Sequence, residues 1–204
     1  MSLAEVVRQV GAAYFFVHYI CAMLRTRQDR EKLRRAFQPA SVRLLFVGES
    51  PPASGRFFYS RNSGLYLAMR EAFRRVAPEI DDQSFLEMFK SSGCYLIDLC
   101  LEPIDNMDLK AREGARLASE GSLARAIRKL QPPAIAILLR SITANVSRAA
   151  FRTGWQGQII HLPYPGRWHQ HRRLFIETLA PTLYQLISLA ESCISKNEFP
   201  VSRP

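Results

Sequence analysis

Apolar and polar positions along the chain fall into blocks that predict short strands separated by helices. Four apolar runs have the length and composition of buried parallel strands. They are Val42–Val47, Tyr95–Leu99, Ala134–Leu139 and Gln158–Leu162. Because helical segments lie between them, we predict an α/β fold: a three-layer α/β/α sandwich with a mainly parallel four-stranded sheet.

The segments between the strands carry apolar residues at helical spacings of three and four. In Ser119–Leu130, for example, apolar residues fall on one side and a cationic face lies opposite. The predicted helices are Leu3–Phe37, Gly64–Val76, Gln83–Phe89, Ser119–Leu130, Thr143–Arg152 and His169–Ser195, the last with a kink at Pro181. The polar stretch Pro103–Ala118 is predicted as a loop with part of a helix, and residues 196–204 as a frayed tail.

Length and charge narrow the classes of protein that fit. At 204 residues we expect one domain, 1–204, and a hydrophobic content of 48% argues against disorder. The net charge is +10, and 23 of the 28 basic residues are arginine. Arginine binds phosphates with two parallel hydrogen bonds and stacks on bases, so this bias favours a nucleic-acid partner. A solvated basic surface and an anionic membrane are the alternatives.

The N-terminal apolar stretch and the cysteines bear on location and cofactors. Val10–Leu24 is short for a membrane span and contains His18, so we interpret it as part of a helix that packs on the core. We therefore expect a cytoplasmic protein with no membrane partner. Cys21, Cys94, Cys100 and Cys193 are scattered without a Cys-x-x-Cys pair. We therefore predict reduced thiols, with no cofactor, metal site or iron–sulfur cluster.

The segment Gly48-Glu49-Ser50-Pro51-Pro52 ends the first predicted strand. Its two prolines cannot continue a sheet, so a carboxylate and a hydroxyl are held on a stiff turn at the carboxyl end of a buried strand. Ligands bind at that edge in open α/β sheets. The alternative is a strand-to-helix turn whose glutamate accepts backbone amides.

Polar residues also follow the other strands, in an order that resembles the uracil-DNA glycosylase superfamily over roughly Arg43 to Ala180. Gly48-Glu49-Ser50-Pro51 is similar to the Gly-Glu-x-Pro motif of the thermostable bacterial branch. Gly55-Arg56-Phe57-Phe58 resembles that branch's Gly-Arg-Pro-Phe, and Phe58–Asn62 resembles a segment of mismatch-specific and hypoxanthine-DNA glycosylases. Pro163-Tyr164-Pro165 resembles the final His-Pro-Ser-Pro motif.

This resemblance implies roles for individual residues. Glu49 would activate water, Asn62 and Asp98 are further candidate catalytic groups, and Ser50, Pro51 and Phe58 would contact a flipped base, with Phe58 stacking on it. Arginines near the DNA face would contact phosphates, and Arg167 and Trp168 would fill the space that the base leaves. The predicted DNA-binding set is Arg56, Arg61, Pro163, Tyr164, Pro165, Arg167, Trp168, His169 and Arg172. Trp168 has an alternative role in packing at a helix start.

Two positions depart from the family pattern. Leu162 stands where the last motif has a histidine, and His161 lies one place earlier, which on a strand points to the other face. Asp98 stands where several members have an asparagine. An ionised aspartate only accepts hydrogen bonds, so it would suit an exocyclic amino group better than uracil, or act as a general base. Alternatively, Asp98 caps a neighbouring helix or loop.

The leading hypothesis is therefore a monomeric DNA glycosylase-like repair enzyme that flips a modified base and hydrolyses its N-glycosidic bond, without a metal. A carboxylate near the sugar would stabilise the cationic transition state and align water. The alternatives are a DNA-binding module of the same fold that lacks catalysis, and a hydrolase of small nucleosides or nucleotides.

Overall fold

The centre of the fold is a four-stranded sheet in which all strands are parallel. The computed structural model describes residues 26–166 and 168–195, with side chains described as far as residue 188. The strands are β1 (Leu44–Gly48), β2 (Cys94–Asp98), β3 (Ala134–Ile137) and β4 (Gln158–His161), in the order β2-β1-β3-β4. This arrangement confirms the predicted α/β sandwich.

Helices connect and cover the strands. They are α1 (Arg27–Ala36), α2 (Gly64–Val76), α3 (Phe85–Ser91), α4 (Leu109–Leu130), α5 (Thr143–Phe151) and α6 (His169–Ser195), with 3-10 turns at Phe58–Ser60 and Arg140–Ile142. Pro181 lies inside α6. Of the predicted N-terminal helix, α1 is described; the rest of it and the predicted tail lie outside the described residues, as does Arg167.

The strand order explains how the helices form two layers. The chain moves from β1 outward to β2, then crosses back over β1 to β3 and continues to β4. Because parallel crossovers are right-handed, this reversal places α2 and α3 on one face of the sheet and α4 and α5 on the other. The contacts agree, since α2 packs against α6 and α4 packs against α5. The reversal also creates a switch point between β1 and β3, where ligands bind in sheets of this type.

Two elements differ from their predictions, one in its bounds and one in its burial. Helix α4 begins at Leu109 rather than Ser119, because the Asp108 side chain accepts a hydrogen bond from the Ala111 N–H and caps it ten residues earlier. Strand β4 is not buried on both faces. It is the edge of the sheet, and its end residues Gln158 and His161 are exposed.

Aromatic rings fill the space between the sheet and the α2–α3 layer. Phe58, Phe73, Phe85 and Phe89 contact one another through edge-on and tilted pairs. The neighbouring Tyr59 is 2% exposed. Its hydroxyl donates to the Leu96 carbonyl at 3.0 Å and accepts from the Leu96 N–H at 2.8 Å. Since β2 pairs with β1 on its other side, Tyr59 satisfies the outward-facing N–H and carbonyl of Leu96 on this edge strand.

A buried acid joins α4 to α5 on the opposite layer. The Glu120 side chain is 1% exposed and accepts from the Asn145 amide at 2.8 Å and from Arg148 Nη2 at 2.6 Å. Arg152 lies 3.3 Å from the other carboxylate oxygen. These contacts give a structural reason for an ionised residue in this interface.

Candidate functional site

A cleft of about 530 Å³ opens at the carboxyl edge of the sheet. Its walls come from segments that follow all four strands, and it includes the switch point between β1 and β3. The lining residues include Gly48–Pro52 after β1, Leu96 and Asp98 from β2, Leu138 and Leu139 after β3, and Tyr164–Gly166 after β4. Of the residues predicted from the sequence to be catalytic or base-binding, Glu49, Ser50, Pro51, Phe58 and Asp98 line the cleft.

Glu49 is held by two arginines of α4. Arg112 Nε lies 3.0 Å from Glu49 Oε1, and Arg112 Nη2 contacts the other oxygen, so the pair is bidentate. Arg116 Nε lies 2.6 Å from Oε1. Burial by itself raises the pKa of Glu49, but the hydrogen bonds and charges of Arg112 and Arg116 outweigh it and lower that pKa below its ordinary value. The Glu49 side chain is therefore ionised at neutral pH.

Asp98 has the opposite environment. Within the described part of the chain its carboxyl group has no hydrogen-bond partner, and burial raises its pKa to about 7. The positive charge of Arg34 opposes this shift, whereas Glu31 and Glu49 add to it. The carboxyl group lies so close to Gly48 that a Cβ built there would be 2.5 Å from Asp98 Oδ1. Glycine at the end of β1 therefore leaves the room that Asp98 occupies.

Phe58 lies in the wall of the cleft but belongs mainly to the core. Its side chain is 3% exposed, and its ring centroid lies 5.0 Å from that of Tyr59 and 5.2 Å from that of Phe89. Little of the ring faces the open space. Asn62 is not among the residues that line the cleft; its Oδ1 accepts from the Phe57 N–H at 2.7 Å and so supports the loop that carries Phe58.

The loop after β4 forms one side of the mouth. Tyr164 and Pro165 line the cleft, and Tyr164 is 49% exposed, while Pro163 is half-buried behind them. Trp168 is 69% exposed, so it does not pack at the start of α6. Leu162 is buried in the core, and His161 is exposed on the edge strand. Neither of these two residues lines the cleft.

The predicted phosphate contacts are divided between two places. Arg56 is exposed and lines the cleft. Arg61 donates to the Gln83 carbonyl at 3.2 Å instead. His169 and Arg172 line a separate groove of about 460 Å³ between α2 and α6, where Arg172 Nε lies 2.6 Å from Glu71 Oε2. These two residues are therefore not brought together with the cleft.

Arg112 and Arg116 contact Glu49 and were not among the predicted site residues. They lie four residues apart, on one face of the first three turns of α4. The available signal was this spacing together with Asp108 as a helix cap, in a stretch that was predicted as a loop with part of a helix. Their partner Glu49 is more than sixty positions away in the chain, and no local pattern encodes such a pairing.

No protein-family model matches this sequence, and no curated protein matches it either. The resemblance to uracil-DNA glycosylases therefore stays a prediction. Over residues 26–166 and 168–195, no helix has both the length and the apolar content needed to cross a membrane. Within the same ranges, histidine, cysteine, aspartate and glutamate side chains do not form a group of three suited to a metal ion. Cys94 and Cys100 are buried free thiols.

Proposed function

We propose that this chain is a DNA N-glycosylase-like enzyme whose cleft receives a base turned out of the nucleic acid. The observation that carries the proposal is the pair of carboxyl groups in one cleft, Glu49 and Asp98, whose surroundings move their pKa values in opposite directions. Such pairs divide the roles of acid and base between two similar side chains. Hydrolysis of an N-glycosidic bond needs both roles.

Glu49 would act on the sugar side. As the bond between C1′ and the base nitrogen breaks, its electron pair stays with the base and positive charge develops on the sugar. An ionised carboxylate stabilises that charge and orients a water molecule, whose oxygen bonds to C1′ and whose proton passes to the carboxylate. The backbone that holds Glu49 follows a buried strand and precedes two prolines, so its position is well defined.

Asp98 would act on the base side. In its acid form the carboxyl group donates a hydrogen bond, which stabilises the negative charge that develops on the departing base. In its ionised form it would repel that charge. Since its pKa is about 7, the acid form is well populated at and below neutral pH. An ionised Asp98 would not suit uracil, because it only accepts hydrogen bonds. The protonated carboxyl group both donates and accepts them, so it also suits a base that presents a carbonyl oxygen.

Three surface features support DNA as the source of the base. The net charge of +10 gives general attraction to a phosphate backbone. The mouth of the cleft carries the half-exposed Tyr164 and the exposed Arg56. The exposed Trp168 follows shortly after Tyr164 and has the flat apolar surface that stacks on a base.

The test is release of free base from oligonucleotides that carry uracil, hypoxanthine or xanthine, in duplex and single-stranded form. We expect release by the wild-type protein and a loss of at least about a hundredfold in Glu49→Gln. Glu120→Gln is the matched control, because Glu120 is also a buried acid paired with two arginines but lies outside the cleft. Folded wild-type protein that releases no base from any of these substrates would exclude the enzyme.

A DNA-binding module without catalysis is the second candidate. The observation that favours it is that Arg112 and Arg116 both donate hydrogen bonds to Glu49, since a carboxylate with two guanidinium partners is a weak base. It predicts salt-sensitive DNA binding with no base release at any pH. Turnover of free nucleosides with weak DNA affinity would instead identify a hydrolase of small nucleosides.

A further inference from the structure

The group formed by Glu49, Arg112 and Arg116 carries more positive than negative charge. Two guanidinium groups share one carboxylate, which leaves one positive charge over. The two arginines are not equivalent. Arg112 lines the cleft and its side chain is 27% exposed, whereas Arg116 is 17% exposed and is not among the lining residues. The surplus charge is therefore accessible to a ligand through Arg112.

We propose that Arg112 is a phosphate-binding residue of the cleft, and that a phosphate group of the ligand competes with the Glu49 carboxylate for its guanidinium group. Where the phosphate belongs to DNA, this inference rests on the proposed function; the phosphate site itself does not. Arginine offers five N–H donors in a planar fork that fits phosphate oxygens. Arg112 directs Nε and Nη2 at Glu49, and its other donors have no partner within the described residues.

Other groups in the cleft suit the same ligand. Arg56 supplies a second guanidinium group, which has no acidic partner in the described part of the chain. The N-cap residue Ser63 and the first helical residues Gly64 and Leu65 of the 13-residue helix α2 also line the cleft, and the N-terminus of a helix favours negative charge. Asp105 also lines the cleft, and its carboxylate oxygens accept from the Ala53 N–H at 3.0 and 3.2 Å. Its negative charge acts on Arg112 and opposes an anionic ligand, so the charges of Arg56 and Arg112 together must outweigh it.

Competition for Arg112 has a consequence for Glu49. A phosphate on the free donors of Arg112 offsets part of the positive charge that lowers the pKa of Glu49, and a phosphate that also takes Nε and Nη2 leaves Glu49 with Arg116 alone. In both cases Glu49 becomes a stronger base. An arriving ligand would thus both occupy the cleft and activate the carboxylate that acts on it. Because coupling between two binding events is reciprocal, removing the Glu49 charge must strengthen phosphate binding.

The test is a calorimetric titration of inorganic phosphate into the wild-type protein and three variants. We expect Glu49→Gln to bind phosphate about fivefold more tightly or better, and Arg112→Gln to bind it about tenfold more weakly or worse. Arg116→Gln removes the same charge from the same group of side chains but not from the cleft wall, so this variant should lose much less phosphate affinity than Arg112→Gln. Thermal unfolding of each variant shows that it is folded.

Equal losses in Arg112→Gln and Arg116→Gln would overturn the proposal, since they would indicate a general effect of charge. An unchanged or weaker affinity in Glu49→Gln would overturn the competition. If Glu49→Gln does not fold, the comparison of the two arginine variants still decides the site. None of these measurements needs base release, so they stay informative if the proposed enzyme activity fails.

Two further titrations identify the source of the phosphate. With a single-stranded oligonucleotide, DNA as the source predicts the same order of affinities and a salt dependence that is less steep by about one unit of slope in Arg112→Gln. A 5′-mononucleotide that follows this order while the oligonucleotide does not would assign the site to a free nucleotide.

Discussion

Replacing Tyr59 with phenylalanine removes one oxygen atom and leaves two backbone groups without partners. The hydroxyl is hydrogen-bonded to both the N–H and the carbonyl of Leu96, a residue that is 2% exposed on the outer side of β2. Each buried group that loses its partner costs about 1–3 kcal/mol. We expect Tyr59→Phe to lower the free energy of unfolding by about 2–4 kcal/mol. This total is less than twice the largest cost for one group, because an unpaired carbonyl is tolerated better than an unpaired N–H.

Tyr66→Phe is the matched control for this prediction. The Tyr66 ring is equally buried, but its hydroxyl donates to the Asp82 carbonyl at 3.1 Å in a part of the chain that water reaches. Tyr66→Phe should lower the free energy of unfolding by about 0.5–1.5 kcal/mol. Urea unfolding measures both variants, provided that the slope with denaturant is unchanged. Hydrogen exchange of the Leu96 amide should accelerate in Tyr59→Phe. A loss no greater than that of the control would refute this account of the β2 edge.

Three further substitutions test the surroundings of the cleft and the opposite layer. Because the pKa of Asp98 is raised to about 7 in the folded protein, its ionisation opposes folding as the pH rises from about 4 through 7. Unfolding curves should therefore show that Asp98→Asn is more stable than wild type at pH 8 and that this gain shrinks towards pH 4. Gly48→Ala should cost about 1–3 kcal/mol in the same assay through overlap with Asp98, and a double-mutant cycle with Asp98→Ala should recover most of that cost; an undiminished cost would place the overlap elsewhere. Hydrogen bonds from Arg148 lower the pKa of Glu120, so the stability that Glu120 contributes is complete above its ordinary pKa and is lost as the pH falls through the lowered value. Glu120→Gln should therefore lower the free energy of unfolding by about 1–3 kcal/mol at pH 7 and by less at pH 3, and a pH-independent cost would contradict this.

The sheet was predictable because its strands are nearly uniform apolar runs. In a parallel sheet covered on both faces, the centre excludes polar residues, so the pattern marks each strand to within two residues. Strand β4 follows a different rule. Its apolar pair Ile159 and Ile160 resembles a buried strand, yet the edge position leaves both residues partly exposed. A run of this length does not distinguish a central strand from an edge strand.

The candidate site was predictable only where its residues follow strands. Glu49 and Asp98 were expected at one edge because the ends of parallel strands meet there. The first half of α4 was expected only as part of a helix within a loop, because its exposed polar surface gives no apolar stripe. Its ion pairs with Glu49 were not expected, because they join distant parts of the chain. Asn62 was interpreted through a resemblance; its Oδ1 accepts from the Phe57 N–H, and its role as a catalytic group stays a prediction. Ion pairs of long range are decided by the fold and leave little trace in local sequence.

The walls of the cleft come from parts of the chain as distant as Gly48 and Gly166. The strand pairings differ in how far apart their partners lie in the chain: β4 pairs with the nearby β3, whereas β1 pairs with the distant β2 and β3. Because pairing of distant segments is slow, we expect the cleft to gain its ligand affinity only once β1 has paired on both sides. Recovery of ligand binding during refolding would therefore report the completion of the sheet around β1.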